Sequence, residues 1–272
     1  MKKIRSFVVL ALTLGAACLR AASYAENVIS YDPGSGFAAG FTNAATSLGA
    51  PSQINPFGDP VDPFNSPYGQ TQLVSLGVGG SLTVQFLTPI ANNPNNRFGI
   101  DFMIFGNTGF VITNATDTNF NFIGTPATDG SLYGNNPGAT RVAVSADGIN
   151  YYTLNPSVSP VVDGIYPTDG AADFGQPVNP SLQPANFAGK TLDGIRTLYA
   201  GSGGGTGFDI GSAQDSNSNA VVLPTISYVR VSVLSGKSEI DAFSAVTPVP
   251  EPAIVSLLLA GSALLILARR RK

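Results

Sequence analysis

Between its two ends the chain shows no helical period over about 11 or more residues, and short runs of β-branched and aromatic residues are broken again and again by turn formers. Its 31 glycines and 20 prolines make long helices untenable and favour strands joined by turns. Strands are expected at Ser81–Phe86, Gly99–Phe105, Arg141–Ser145, Tyr151–Leu154, Tyr228–Leu234 and Glu239–Val246, with weaker ones at Val28–Tyr31 and Leu73–Leu76. Asp147-Gly148 between two of these runs signals a hairpin, because glycine accepts the positive φ that the turn needs. Ser235-Gly236-Lys237-Ser238 is expected to close another. An all-β, antiparallel β-sandwich over residues 26–248 is the economical architecture. Residues 49–70, 106–139 and 155–186 interrupt it and are too long for ordinary connections, so they are functional loops at one end of the sheet or locally disordered.

The ends obey different rules. Lys2, Lys3 and Arg5 precede an apolar stretch from Phe7 to Leu19, and Ser23-Tyr24-Ala25 offers small residues at the positions a signal peptidase reads. Residues 1–25 are therefore expected to be a secretory leader cut after Ala25, with Ala22 as the alternative because Arg20 sits awkwardly before the site. At the other end Pro250-Glu251-Pro252 leads into the uncharged run Ala253 to Ala268, closed by Arg269, Arg270, Arg271 and Lys272. As a helix the run would reach about 24 Å, short of the ~30 Å hydrocarbon core. The basic cluster would stay on the cytoplasmic side.

This arrangement over residues 249–272 resembles a PEP-CTERM sorting signal: a Pro-Glu-Pro box, a short hydrophobic helix and an Arg-rich tail. The resemblance implies export through the Sec machinery and processing by an exosortase in a Gram-negative bacterium that makes exopolysaccharide. The inner membrane would be a station in transit, and the cell surface or extracellular matrix the destination.

Composition narrows the chemistry. There is no histidine and a single cysteine, Cys18, inside the expected leader. Ser-His-Asp and Cys-His catalysis, His-dependent metalloproteases and cysteine-rich metal sites are thereby excluded. Residues 26–248 carry six basic side chains against sixteen acidic ones, a formal charge of −10 that repels nucleic acid.

The segment Arg141-Val-Ala-Val-Ser-Ala-Asp-Gly-Ile-Asn-Tyr-Tyr152 is similar to the strand–turn–strand of galactose-binding-like (discoidin-type) jelly rolls, followed by Gly205-Thr-Gly-Phe-Asp-Ile210 and Glu239-Ile-Asp-Ala-Phe243. This resemblance, from about Gly99 to Val246, implies a jelly-roll sandwich and no particular chemistry; the long inserts and Phe243 depart from the pattern. Jelly rolls of this appearance often hold a structural cation near the terminal strand. Asp101, Asp209, Glu239 and Asp241 are the oxygen ligands on or beside expected strands that calcium would use. No other cofactor is implied.

Three further features bear on function. Glu239 and Asp241 would share one face of a strand about 7 Å apart, a spacing that fits a retaining and an inverting glycosidase pair equally badly, and nothing else marks them out. Gly201-Ser-Gly-Gly-Gly-Thr-Gly207 lacks the Lys-Ser/Thr of a phosphate loop and reads as a flexible connection that admits Phe208 to the core and lets Asp209 turn the chain. Phe57, Phe64, Tyr68, Phe120, Phe122, Tyr133 and Tyr166 either stack on sugar rings or anchor the loops. The expected role is structural or adhesive and linked to exopolysaccharide, without catalysis. A carbohydrate-binding module with a defined glycan, and a carboxylate-based glycan hydrolase, are the competing readings.

Overall fold

The computed structural model describes residues 23–248 except 120, 137 and 165. The expected leader up to Ala22, and the whole of 249–272 with its Pro-Glu-Pro box, apolar run and basic tail, lie outside the described residues.

Among the described residues two antiparallel sheets dominate. Their strands are β1 (Asn27–Asp32), β2 (Val74–Gly77), β3 (Ser81–Ala91), β4 (Phe102–Gly106), β5 (Thr140–Ser145), β6 (Tyr152–Leu154), β7 (Thr206–Phe208), β8 (Ala213–Gln214), β9 (Thr225–Val233) and β10 (Lys237–Ala245). One sheet runs β1-β3-β9-β5-β6-β8 and the other β7-β4-β10-β2. The period-2 alternation supplies the reason. Leu82 and Val84 in β3, Val142 and Val144 in β5, and Val229 and Val231 in β9 all bury into one cluster. Val74, Leu76, Phe102, Ile104 and Phe243 from the other sheet bury into the same cluster. Phe208 stacks on Phe102 there, ring centroids 5.4 Å apart.

The expected strands are present with shifted ends. Β-strand β3 runs on to Ala91, and β7 and β8, at three and two residues, were too short to show a period. Asp147-Gly148 does close a hairpin between β5 and β6, with Gly148 at φ 74°. The second expected hairpin is not one. Both edges of β9 are occupied by β3 and β5, and both edges of β10 by β4 and β2, so residues 234–236 carry the chain from one sheet to the other.

The outer face of the four-stranded sheet is covered. Met103, Phe105 and Ala242 pack with Phe174, whose ring meets Phe105 edge-on at 5.5 Å. Phe110 from 106–139 and Val178 from 155–186 pack with Phe187, Ile195 and Tyr199 in a satellite core, with Phe64 from 49–70 against it. Two short helices contribute: α1 (Pro184–Phe187) and α2 (Leu192–Tyr199). Thr191 caps α2 by accepting from Gly194 N–H, and Arg196 on α2 forks onto the buried Asp169 at 2.7 and 2.9 Å. An eight-residue helix with an internal glycine falls below the window in which helical periodicity is visible.

The N-terminal segment belongs to this domain. Ala25 is fully buried; its N–H donates to the Phe243 carbonyl, Ala245 N–H donates to Ser23, and Tyr24 bridges Ser244. A cut after Ala25 would therefore remove a segment that is paired with β10.

Candidate functional site

The acids expected from sequence to gather around calcium are not gathered. Among the described residues no three His, Cys, Asp or Glu side chains stand together as a metal group. Asp101 is buried and saturated: it accepts from Asn93 N–H and Asn96 Nδ2 at 3.0 Å and from Ile210 N–H at 2.9 Å. Burial pushes its carboxyl up to about 6 against those bonds. Asp209 caps the turn that follows β7, accepting from Gly211 N–H. Asp241 accepts from the N–H and hydroxyl of Ser52. Glu239 is held by the Asn107 amide and by Lys237 Nζ at 3.1 Å.

The expected alternation of Glu239 and Asp241 on one face is interrupted as well. The register of β10 shifts between Ile240 and Ala242, so Ile240 and Phe243, three residues apart, both enter the central core. A bulge of this kind inserts Asp241 as the unpaired residue. Both carboxylates are buried, at 7% and 2% exposure, and each is engaged by its own partners.

A cleft of about 580 Å³ lies beside β7 instead. Phe98, Ile100 and Asp209 line one side, the loop 157–161 another, and Tyr166, Val178 and Gln183 the rest. Ser157, Ser159, Ser212 and Thr206 add hydroxyls. Phe98 has φ 61°, a left-handed conformation that a bulky residue seldom adopts, and its ring is 45% exposed. Strain of this sort persists only where the surroundings enforce it. The guanidinium of the neighbouring Arg97 lies 5.1 Å from the Phe98 ring centroid and donates to Gln176 Oε1 at 3.0 Å. Tyr166 is fixed by its hydroxyl, shared between the Asn179 and Leu182 carbonyls at 3.0 and 2.9 Å, and burial raises it to about 12.

The loop aromatics divide. Phe64 and Tyr166 pack with the satellite core, and Tyr133 donates to the Phe64 carbonyl at 2.7 Å. Phe57 is 81% exposed and tilts against Tyr68 at 5.7 Å. Phe122 is also exposed, and Phe120 lies outside the described residues. Of the two aromatics at the cleft, Tyr166 was among those expected and Phe98 was not; an Arg-Phe-Gly triplet after an Asn-rich turn gave no period to read.

Behind the cleft a second, water-sized space of about 10 Å³ shares Gly164, Tyr166 and Thr206 with it and reaches Asp163. Thr206 Oγ1 donates to the Val162 carbonyl at 2.9 Å and accepts from Gly164 N–H at 3.1 Å, so the residues on either side of Asp163 are clamped to β7. Its carboxyl faces the donors of Ser238, Asn136 and the main chain of Glu239, and burial pushes it up to about 7 against them. Asp163 escaped sequence reading because nothing in Val161-Val162-Asp163-Gly164 distinguishes it from a turn aspartate.

Residues 248–272 match the PEP-CTERM protein-sorting motif. The chain thus combines a mostly antiparallel β domain with the sorting motif of exported, exosortase-processed proteins. No curated protein matches it by sequence.

Proposed function

We propose that the protein is a domain of the cell surface or extracellular matrix that holds polysaccharide in the cleft beside β7, a structural and adhesive role without turnover. The observation that carries this reading is Phe98, an exposed aromatic in a left-handed conformation at the edge of a mainly apolar cleft whose lining also includes Ser157, Ser159, Ser212 and Gln183. An apolar face with polar neighbours suits the two sides of a sugar ring. With a formal charge of −10 over residues 26–248, neutral glycans suit the domain better than anionic ones.

The two sheets sharing one core support the galactose-binding-like sandwich implied by resemblance. Export runs through the Sec machinery, with the leader cut after Ala22 so that Ser23–Ala25 remain on β10. Ala253 to Ala268 sits in the inner membrane until an exosortase acts at the Pro250-Glu251-Pro252 signal, with Arg269, Arg270, Arg271 and Lys272 holding the topology. Hydrolysis gains no support from Glu239 and Asp241, whose oxygens are engaged inside the fold.

The test is affinity electrophoresis of the full-length protein in detergent through gels containing neutral polysaccharides, beside Phe98→Ala. Retardation weakened about tenfold by the substitution, at an unchanged unfolding temperature, is the expected result; ~1.4 kcal/mol corresponds to that factor. Binding confined to one glycan would make the domain a selective module. Equal retardation of both proteins, or none of either, would overturn the reading.

A further inference from the structure

Glu239 holds two nitrogens, one on each of its oxygens. Lys237 Nζ lies 3.1 Å from Oε1, and Asn107 Nδ2 donates to Oε2. The carboxylate between them is buried. Two adjacent strands bring the three side chains together. Lys237 and Glu239 stand two residues apart in the regular part of β10, so they share one face. Ile240 pairs with Gly106, which sets Asn107 across from Glu239 and diagonal to Lys237. A diagonal separation of about 7–8 Å lies within the span of a long side chain. Gly106 permits the close approach, since a Cβ there would lie 2.7 Å from the Glu239 carbonyl. The Asn107 Oδ1 is buried without a hydrogen-bond partner, so this amide is held through its nitrogen alone.

We propose that Lys237 and Asn107 become joined by an isopeptide bond, with Glu239 as the proton carrier. One carboxylate oxygen touches the attacking atom and the other touches the leaving atom, as a proton relay between the two requires. Glu239 takes a proton from the Lys237 ammonium, and the free amine attacks Asn107 Cγ. The Nζ–Cγ bond forms, the Cγ–Nδ2 bond breaks, and Glu239 returns the proton to Nδ2, which departs as ammonia. An amine and a primary amide thus become a secondary amide and ammonia, with no oxidant, reductant or cofactor. In solution an amide resists amines; fixing amine, carbonyl carbon and acid–base group side by side supplies the missing rate. Burial keeps water, the competing nucleophile, away from the carboxylate and the amide it holds. The product ties the end of β4 to β10 whether or not a glycan occupies the cleft.

Tandem mass spectrometry of a trypsin digest of the full-length protein tests this. The expected species is a branched peptide in which Phe98–Arg141 is joined through Asn107 to the peptide that starts at Val231. It should be uncut after Lys237 and lighter by one ammonia than its two parts. Lys237→Arg keeps the charge but offers no free amine, so it should return Phe98–Arg141 unjoined and unfold at a lower temperature than the wild type. Glu239→Gln keeps the shape without the relay and should also leave the two peptides apart. Should that variant not fold, the wild type beside Lys237→Arg decides the question. Separate, unmodified peptides from the folded wild type would overturn the bond, and joined peptides from Glu239→Gln would overturn the role of Glu239.

Discussion

Ser52 donates its N–H and its hydroxyl to the two oxygens of Asp241, at 2.8 and 2.7 Å, and so fastens the segment 49–70 to the bulge in the last strand. Burial pushes Asp241 up to about 7 despite those bonds, which favour the ionised form. Removing the hydroxyl with Ser52→Ala is expected to cost about 1.5–3 kcal/mol at pH 8, where the carboxylate must be charged. Urea unfolding of wild type and variant at pH 8 checks this; equal midpoints would refute it.

Asp101 and Asp241 give the fold a pH dependence of definite sign. Their folded values, about 6 and about 7, lie above the ordinary 3.8, so the folded chain binds more protons than the unfolded one between pH ~4 and 7. Their contribution to stability is full below about pH 4 and is lost as pH rises through 6 and 7. The exposed Asp117, Asp147 and Asp215, lowered by hydrogen bonds from Asn121, Asn150 and Asn219, act oppositely but below their unfolded values. Unfolding midpoints measured in EDTA should therefore be higher at pH 5 than at pH 8. A midpoint that climbs over that interval contradicts the assignment.

Arg196 is partly exposed while Asp169 is 1% exposed, so the cost of separating them falls on the acid. Arg196→Ala leaves a buried carboxylate without its fork and should destabilise by roughly 2–4 kcal/mol, discounted for solvent reaching the arginine. Arg196→Lys keeps the charge but not the two parallel bonds and should recover only part of the loss. Thermal unfolding of both variants gives the comparison, and identical losses would show that the fork contributes nothing.

Gly205→Ala should be among the most damaging single substitutions in the domain. Its φ is 79°, and a Cβ would lie 2.8 Å from the Phe105 ring, itself packed against Phe174. Strain and overpacking together predict a loss of about 2–4 kcal/mol, seen as a lowered unfolding temperature or loss of soluble protein.

Mass spectrometry of the mature protein should find Ser23 at the N-terminus and no Arg269-Arg270-Arg271-Lys272 at the C-terminus. A chain beginning at Glu26 would mean that the pairing of Ser23–Ala25 with β10 is dispensable. An intact basic tail would contradict exosortase processing.

What could be read from the sequence was whatever obeys a short period. Val142–Val144 and Val229–Val231 announce themselves by alternation, and Asp147-Gly148 by turn chemistry. The pairing partners do not: that β9 and β10 part company at residues 234–236 depends on which edges other strands have already filled. The functional groups were less legible for the same reason. Asp101, Asp209 and Asp241, grouped in the sequence as candidate ligands, come from separate segments and accept hydrogen bonds from the loops and turns beside them. Burial and orphaned oxygens are properties of the folded packing, invisible in a string of residues.

The pairing of Ser23–Ala25 alongside Phe243–Ala245 puts the entrance and the exit of the domain at one corner. Any tether at the C-terminus therefore loads β10 while that strand is gripped by β4 on one flank and by β2 and the entering segment on the other. Tension would have to shear several ladder bonds together instead of peeling a free edge, the geometry of a mechanical clasp suited to holding on in flow.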